Sequence, residues 1–228
     1  VSPASAAPVV QSVHIVISTT THFLTVYKGN TVLATYPVAI GFNGAAPKRT
    51  RGDDVTPMGR YHIGWVSRGT RYGPFMGLTY PNRENAAWGL REGVINKAQY
   101  RAIVDAVDAG QTPPQNTALG GEIGIHGMGP QFADDPQSKV FPGRWTAGCV
   151  ALSNWDAQQI AAMVQVGTLV EIVGNAPGLR RKLESVSANA RYKSVAALNT
   201  TATPGAVAKP QDTAMDTLVA ALAPTAAH

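Results

Sequence analysis

Ile125-His126-Gly127 and Thr146-Ala147-Gly148-Cys149-Val150 are the stretches on which the reading of this chain turns, because the second carries its single cysteine and the first a histidine able to deprotonate it. A solitary cysteine forms no internal disulfide, and an isolated thiol is by default a small packing residue. Gly148 argues for another role. It lets the backbone turn tightly just before the sulfur, which presents backbone N–H groups beside a nucleophile, whereas a packing cysteine needs no such turn. His126 follows the apolar alternation Ile123, Ile125, which reads as the end of a strand, a place from which an imidazole can act.

Outward from these segments the chain reads as mostly strands. Val13 to Ile17, His22 to Lys28 and Thr31 to Ile40 form a β-meander, with Gly29-Asn30 as the second turn. Gly41 to Thr56 is rich in Gly, Asn, Pro and charge and reads as a long surface loop, a class that tends to be functional, before a strand from Arg60 to Val66. Tyr100, Ile103, Val104 and Val107 follow helical spacing between an Asn96 cap and a Gly110 stop. Ser153-Asn154-Trp155-Asp156 has the pattern of a capping box and starts a helix expected to run through Ile160, Met163 and Val164 to Gly167. Thr168 to Val173 then reads as a closing strand, and Asn175-Ala176-Pro177-Gly178 as a boundary.

This divides the chain into an N-terminal segment (1–11), a catalytic-sized domain (12–175) and an Ala-rich extension (176–228), in which Arg180 to Ala197 and Thr213 to Leu222 have helical character. The fold class expected is α+β, mostly β with a few helices. With 228 residues, 44% hydrophobic and 14% charged, the chain can bury a substantial core and does not have a disordered composition; its 23 Gly and 16 Pro promise many turns. A net charge of +5 suits an anionic neighbourhood such as an acidic wall polymer or a membrane surface. The positive residues are dispersed and form no basic run, so nucleic acid is not an expected partner. No stretch is long and apolar enough to span a bilayer. The chain starts at Val1 with an Ala/Ser/Pro-rich run, as an exported protein does after signal removal, or a trimmed one does.

Taken together, the motifs resemble the L,D-transpeptidase catalytic domain family, also called the YkuD fold, and in particular its YafK-like murein branch. The pieces that carry the resemblance stand in order between residues 12 and 174. They are Pro47-Lys48, Gly52-Asp53, Thr56-Pro57-Met58-Gly59-Arg60-Tyr61-His62-Ile63, Tyr80-Pro81-Asn82, Gly120-Gly121-Glu122-Ile123-Gly124-Ile125-His126-Gly127 and Trp145-Thr146-Ala147-Gly148-Cys149-Val150-Ala151-Leu152-Ser153-Asn154. The resemblance implies a YkuD-like β-sandwich or barrel. It implies Cys149 as nucleophile, His126 as general base, the Gly127 carbonyl as the group that orients the imidazole, and the Gly148 and Cys149 amides as oxyanion donors. A thiol of ordinary pKa, about 8.5, is only slightly ionised at neutral pH, which is why such chemistry needs the imidazole. Attack on an amide carbonyl then gives a thioester that an amine or water resolves.

The same resemblance implies action on peptidoglycan stem peptides in the periplasm or extracytoplasmic envelope, a wall-attached lipoprotein as a further partner, acylation by carbapenems, and no cofactor. Many members carry Ser-His-Gly-Cys and an Arg two residues past the cysteine, where this chain has Ala147 and Ala151. That departure, which the YafK-like branch shares, makes a hydrolytic outcome, as carboxypeptidase or amidase, an alternative to cross-linking. The family branch's TPEG is Thr56-Pro57-Met58-Gly59, so any role of its Glu is absent. A non-catalytic wall-binding module and a cysteine hydrolase acting on another amide are the remaining readings.

Substrate contacts are expected from Lys48 and Arg49, with Arg51 and Asp53 in the same loop, facing stem-peptide carboxylates or else simply solvated. Tyr80 and Asn82 belong to a matched segment, although a strand tyrosine more often packs. Trp145 either walls the pocket or anchors its loop, and Thr146 completes the set. His14 and His22 lack acidic or cysteine neighbours at ligand spacing, so no metal site is expected.

Overall fold

The computed structural model describes residues 12–47, 50–132, 134, 137, 139–140 and 143–174; the helices expected in 176–228 and the N-terminal segment expected over 1–11 lie outside them. Strands β1 (Val13–Ser18), β2 (Phe23–Lys28) and β3 (Thr31–Pro37) make the expected meander. Its alternation is physical: Ile15 and Ile17 are fully buried and pair across to Val26 and Leu24, also fully buried. Each such side chain contributes roughly 1.5–3 kcal/mol by leaving water.

The single strand expected over Thr31 to Ile40 is two. Pro37 has no N–H to continue the ladder, the Val38 N–H turns to the His22 carbonyl at 2.9 Å, and β4 (Ala39–Gly41) pairs elsewhere. The long loop holds a small parallel ladder of β5 (Ala45–Ala46) and β6 (Thr56–Pro57). Strand β7 runs over Gly59–Thr70, past the Val66 end expected for it, because β8 (Gly73–Leu78) returns alongside as a hairpin.

Helix α1 (Arg83–Arg91) was not anticipated. Its N-cap Asn82 and Asn85 bond each other's backbone reciprocally, an asparagine version of the capping box that lacks the usual Ser/Thr and Glu/Gln signature. Helix α2 (Lys97–Asp108) starts, as read, at Asn96 and turns off at Gly110 (φ 66°). Ile103 of α2 packs with Ala86, Ile95 and Leu119 in a small core shared with α1.

Strands β9 (Gly124–His126), β10 (Gly143–Thr146) and β11 (Val150–Ala151) precede α3 (Asn154–Met163) and β12 (Leu169–Val173). Helix α3 stops at Met163 instead of reaching Gly167, because Val164 is already extended (φ −114°, ψ 162°).

The ten strands of the main sheet follow the order β10-β4-β11-β9-β8-β7-β12-β1-β2-β3. β7 belongs to both halves. Its residues Gly59 to His62 pair with β12 and its residues from Ile63 onward with β8, with a register shift between Ile63 and Trp65. β3 and β4, joined through Val38 alone, carry the chain from one end of the sheet to the other half, so the sheet curls on itself. One core fills the curl: Ile15, Ile17, Ile63, Leu78, Ile125 and Val150 from the strands meet Ala157, Ile160 and Ala161 of α3. Among the described residues this is a mostly β fold with three helices, the α+β class that the motifs led us to expect.

Candidate active site

His126 ends β9, and β9 pairs in parallel with β11, with Ile125 opposite Val150 and His126 opposite Ala151. Cys149 immediately precedes Val150. The two short strands therefore bring to neighbouring positions residues that are far apart in the chain. The Leu152 N–H donates to the His126 carbonyl at 2.9 Å and closes the pairing past the cysteine.

The imidazole is almost completely enclosed, with 5% of its residue surface exposed. Its Nδ1 lies 2.6 Å from the Gly127 carbonyl oxygen. A carbonyl only accepts, so Nδ1 carries the proton and Nε2 is left as the basic nitrogen. Two rings wall the imidazole, Tyr72 at 4.6 Å between centroids and Phe75 at 5.8 Å and near-parallel, both brought by the β7–β8 hairpin. Trp65 stacks in turn on Phe75 at 6.0 Å. This burial holds the His126 pKa down at about 4; the Gly127 hydrogen bond works against the shift and the nearby Arg71 charge adds to it. Arg71 itself lies 4.8 Å from the Tyr72 ring centroid.

Cys149 is half-buried, and its thiol donates to the Glu122 carbonyl at 3.6 Å. The turn before it depends on Gly148, whose φ of +118° suits glycine and where a Cβ would sit 2.8 Å from the Val55 carbonyl oxygen. Thr146 braces that turn: its hydroxyl donates to the Cys149 carbonyl at 2.6 Å and accepts from the Gly148 N–H at 3.2 Å. The Gly148 amide, expected as an oxyanion donor, is thus committed within the turn, and the reason is a short-range one: the Thr146 Oγ1 is the nearest acceptor once the backbone reverses.

The residues expected to contact substrate fall into three groups. Lys48 and Arg49 lie outside the described residues. Tyr80 is fully buried and its hydroxyl donates to the Leu119 carbonyl at 2.7 Å, so it is a core residue that no substrate can reach. Trp145 (8% exposed) and Thr146 (6%) are likewise buried, the first as a strand anchor and the second as the brace just described. Asn82 spends its side chain capping α1. Asp53 stitches its own loop, accepting from the Thr50 and Val55 N–H groups at 3.1 Å, while Arg51 ties that loop to the one between α2 and β9 by donating to the Gln115 carbonyl at 2.9 Å.

Residues the sequence reading did not single out matter more. Tyr72 and Phe75 build the imidazole's environment. Asn154, part of a matched motif but given no role, accepts from the Gly129 N–H at 3.0 Å and donates to the Gly129 and Phe132 carbonyls at 2.8 and 3.0 Å. It ties the segment after His126 to the start of α3. Its burial is the only signal, and burial is not visible in one-dimensional sequence. Among the described residues no group of three His, Cys, Asp or Glu side chains could hold a metal ion, and no helix is long and apolar enough to cross a membrane.

A search of curated proteins finds no match. Solved structures with similar folds include the helical cell shape determining protein Pgp2 of Campylobacter jejuni, at 20% identity and TM-score 0.46, covering 73% of this chain and 51% of that one. Others are L,D-transpeptidase 1 of Mycobacterium tuberculosis (17%, TM-score 0.36, 72% and 63%) and an L,D-transpeptidase of Mycobacterium smegmatis (19%, TM-score 0.38, 72% and 59%). The chain thus spans about half the length of Pgp2. The family model of the YkuD L,D-transpeptidase catalytic domain matches residues 12–172, from β1 to all but the last residue of β12, and includes both His126 and Cys149. The chain belongs to the YkuD L,D-transpeptidase catalytic domain family.

Proposed function

We propose that this chain is a cysteine acyl-transfer enzyme of the bacterial cell envelope that acts on peptidoglycan stem peptides through a thioester on Cys149. The observation that carries the reading is the pre-set imidazole: His126 has its proton locked on Nδ1 by the Gly127 carbonyl, leaving Nε2 basic on the strand next to the cysteine. In this mechanism Nε2 takes the thiol proton as sulfur attacks the amide carbonyl. The tetrahedral oxyanion forms beside the amides of the turn, that of Cys149 foremost, and the imidazolium returns its proton to the leaving amine. Tyr72 and Phe75 keep water from the ring, so the base stays neutral at neutral pH.

A hydrolytic outcome, as L,D-carboxypeptidase or as an amidase releasing a wall-attached lipoprotein, is supported by one feature. Ala151, two residues past the cysteine and opposite His126, is fully buried and offers no charged group to hold an incoming acceptor. Digestion of purified sacculi with product identification by mass separates new cross-links, trimmed stems and released protein. Cys149→Ala is expected to fold and to lose turnover, and a carbapenem is expected to add its mass to the unaltered chain alone. Full activity in Cys149→Ala sinks the thioester mechanism, whereas wall binding without any turnover in the unaltered chain puts the non-catalytic wall-binding reading in its place.

A further inference from the structure

Gln115 lies in the loop between α2 and β9, outside every motif that identified the family, and both ends of its side-chain amide are used. Its Nε2 donates to the Tyr80 carbonyl at 2.7 Å and the Pro113 carbonyl at 2.8 Å, while its Oε1 accepts from the Glu122 N–H at 2.7 Å. Glu122 needs that hold. It is a non-glycine residue in the left-handed region (φ 55°), which costs an L-residue roughly 1–2 kcal/mol. The preceding Gly121 packs so tightly on Gln115 that an added Cβ would run into the Gln115 backbone carbonyl. Backbone strain of this kind persists where the surroundings over-determine it, and it concentrates at functional sites. The outcome of the turn is that the Glu122 carbonyl faces the Cys149 thiol at 3.6 Å.

We propose that Gln115 is a positioning residue for the nucleophile: by pinning the Glu122 peptide in its left-handed turn, it aims the Glu122 carbonyl at Cys149 Sγ and so sets the thiol's resting orientation. The inference rests on the reading of Cys149 as the attacking group. Before reaction the thiol proton is shared with the Glu122 oxygen. On attack that proton passes to His126 Nε2, a sulfur electron pair forms the C–S bond, the amide C–N bond breaks, and the departing amine takes the proton from the imidazolium. Gln115 takes no part in these transfers. Its effect is on where the sulfur starts, and reacting atoms displaced by about 1 Å can lose about a hundredfold in rate.

The test uses the full chain and the variants Gln115→Leu, which has neither donor nor acceptor, and Gln115→Glu, which keeps an oxygen for the Glu122 N–H. Circular dichroism and thermal melting check the fold. Gln115→Leu is expected to lose about tenfold or more in kcat on stem peptides with KM within about twofold. Its Cys149 is expected to react with iodoacetamide at least about threefold more slowly at neutral pH, with an altered rate–pH profile. Gln115→Glu is expected to recover most of the alkylation rate, which a purely structural role for the amide does not predict. If Gln115→Leu does not fold, Gln115→Asn, one methylene too short to reach Glu122, carries the same expectations. A folded Leu or Asn variant with unaltered kcat and alkylation overturns the proposal. Alkylation needs no substrate. Slowed alkylation in a protein that turns over no stem peptide at all therefore leaves the positioning intact and removes only the proposed substrate.

Discussion

The 2.6 Å contact between His126 Nδ1 and the Gly127 carbonyl is a local bond between neighbours in sequence, but its consequences come from burial. A histidine in the unfolded chain binds a proton near pH 6.5, whereas folded His126 does so only near 4. Between those values the unfolded state holds more protons, so stability falls as pH drops through this window. The group's contribution is complete above pH 6.5, and no further loss comes from it below 4. The loss amounts to roughly 3 kcal/mol across the window. Urea denaturation as a function of pH is expected to show a slope there that His126→Gln lacks. The acid limb of turnover, where the base gains its proton, is expected near pH 4 instead of 6.5. A second expectation concerns the turn. Gly148→Ala places a Cβ against the Val55 carbonyl at a backbone angle of +118°, so it is expected to cost about 1–3 kcal/mol of stability in chemical denaturation. It is also expected to abolish detectable acyl transfer.

Single elements carry these residues because their ends are tied. Asn154 sits buried in the first turn of α3 and makes three bonds to Gly129 and Phe132. Asn154→Ala takes the side-chain partner from the Gly129 N–H and the Phe132 carbonyl, while the Gly129 carbonyl keeps the Phe132 N–H at 3.1 Å; the cost is roughly 1–3 kcal/mol of stability for each group left bare where no water replaces it. The substitution is expected to raise proteolytic cleavage after His126, measured by limited digestion. Asn96→Ala removes only the cap of α2 and is expected to cost about 1 kcal/mol in urea unfolding while leaving alkylation of Cys149 unchanged. Helices α2 and α3 were legible because their caps and apolar spacing lie within a few residues. Helix α1 was not, because its capping box is closed by Asn85, where α2 has the usual Gln, Gln99. The division of Thr31 to Gly41 into β3 and β4 was hidden for another reason: Val38 and Ile40 keep the strand-like pattern although their partners belong to the other half of the sheet.

For the whole molecule, β12 is the piece on which the curl depends. It lies between β1, to which it is parallel, and β7, to which it is antiparallel, with Val170 and Ile172 in the core. Removal of residues from Leu169 onward takes both out of the core, opens the apolar side chains packed against them to water, and leaves the facing edges of β1 and β7 unpaired. The shortened chain is expected to lose cooperative thermal unfolding and alkylate without pH dependence; a sharp melting transition in that variant would contradict this account of the sheet.

The sequence by itself determined the residue types of the chemistry, the family and most of the strands, because thiol, imidazole, glycine turn and apolar alternation are properties of short segments. The tertiary structure alone decided which of the described candidates are buried and which polar groups are already bonded. It placed Tyr80, Trp145 and Thr146 in the interior, gave the Gly148 amide a partner inside its own turn, tied Asn154 to the segment after His126, and brought Tyr72, Phe75 and Gln115 to the site from other segments. Burial and orientation arise from how strands pair across the curl, and pairing between residues far apart in the chain leaves no mark on the local pattern of any one segment.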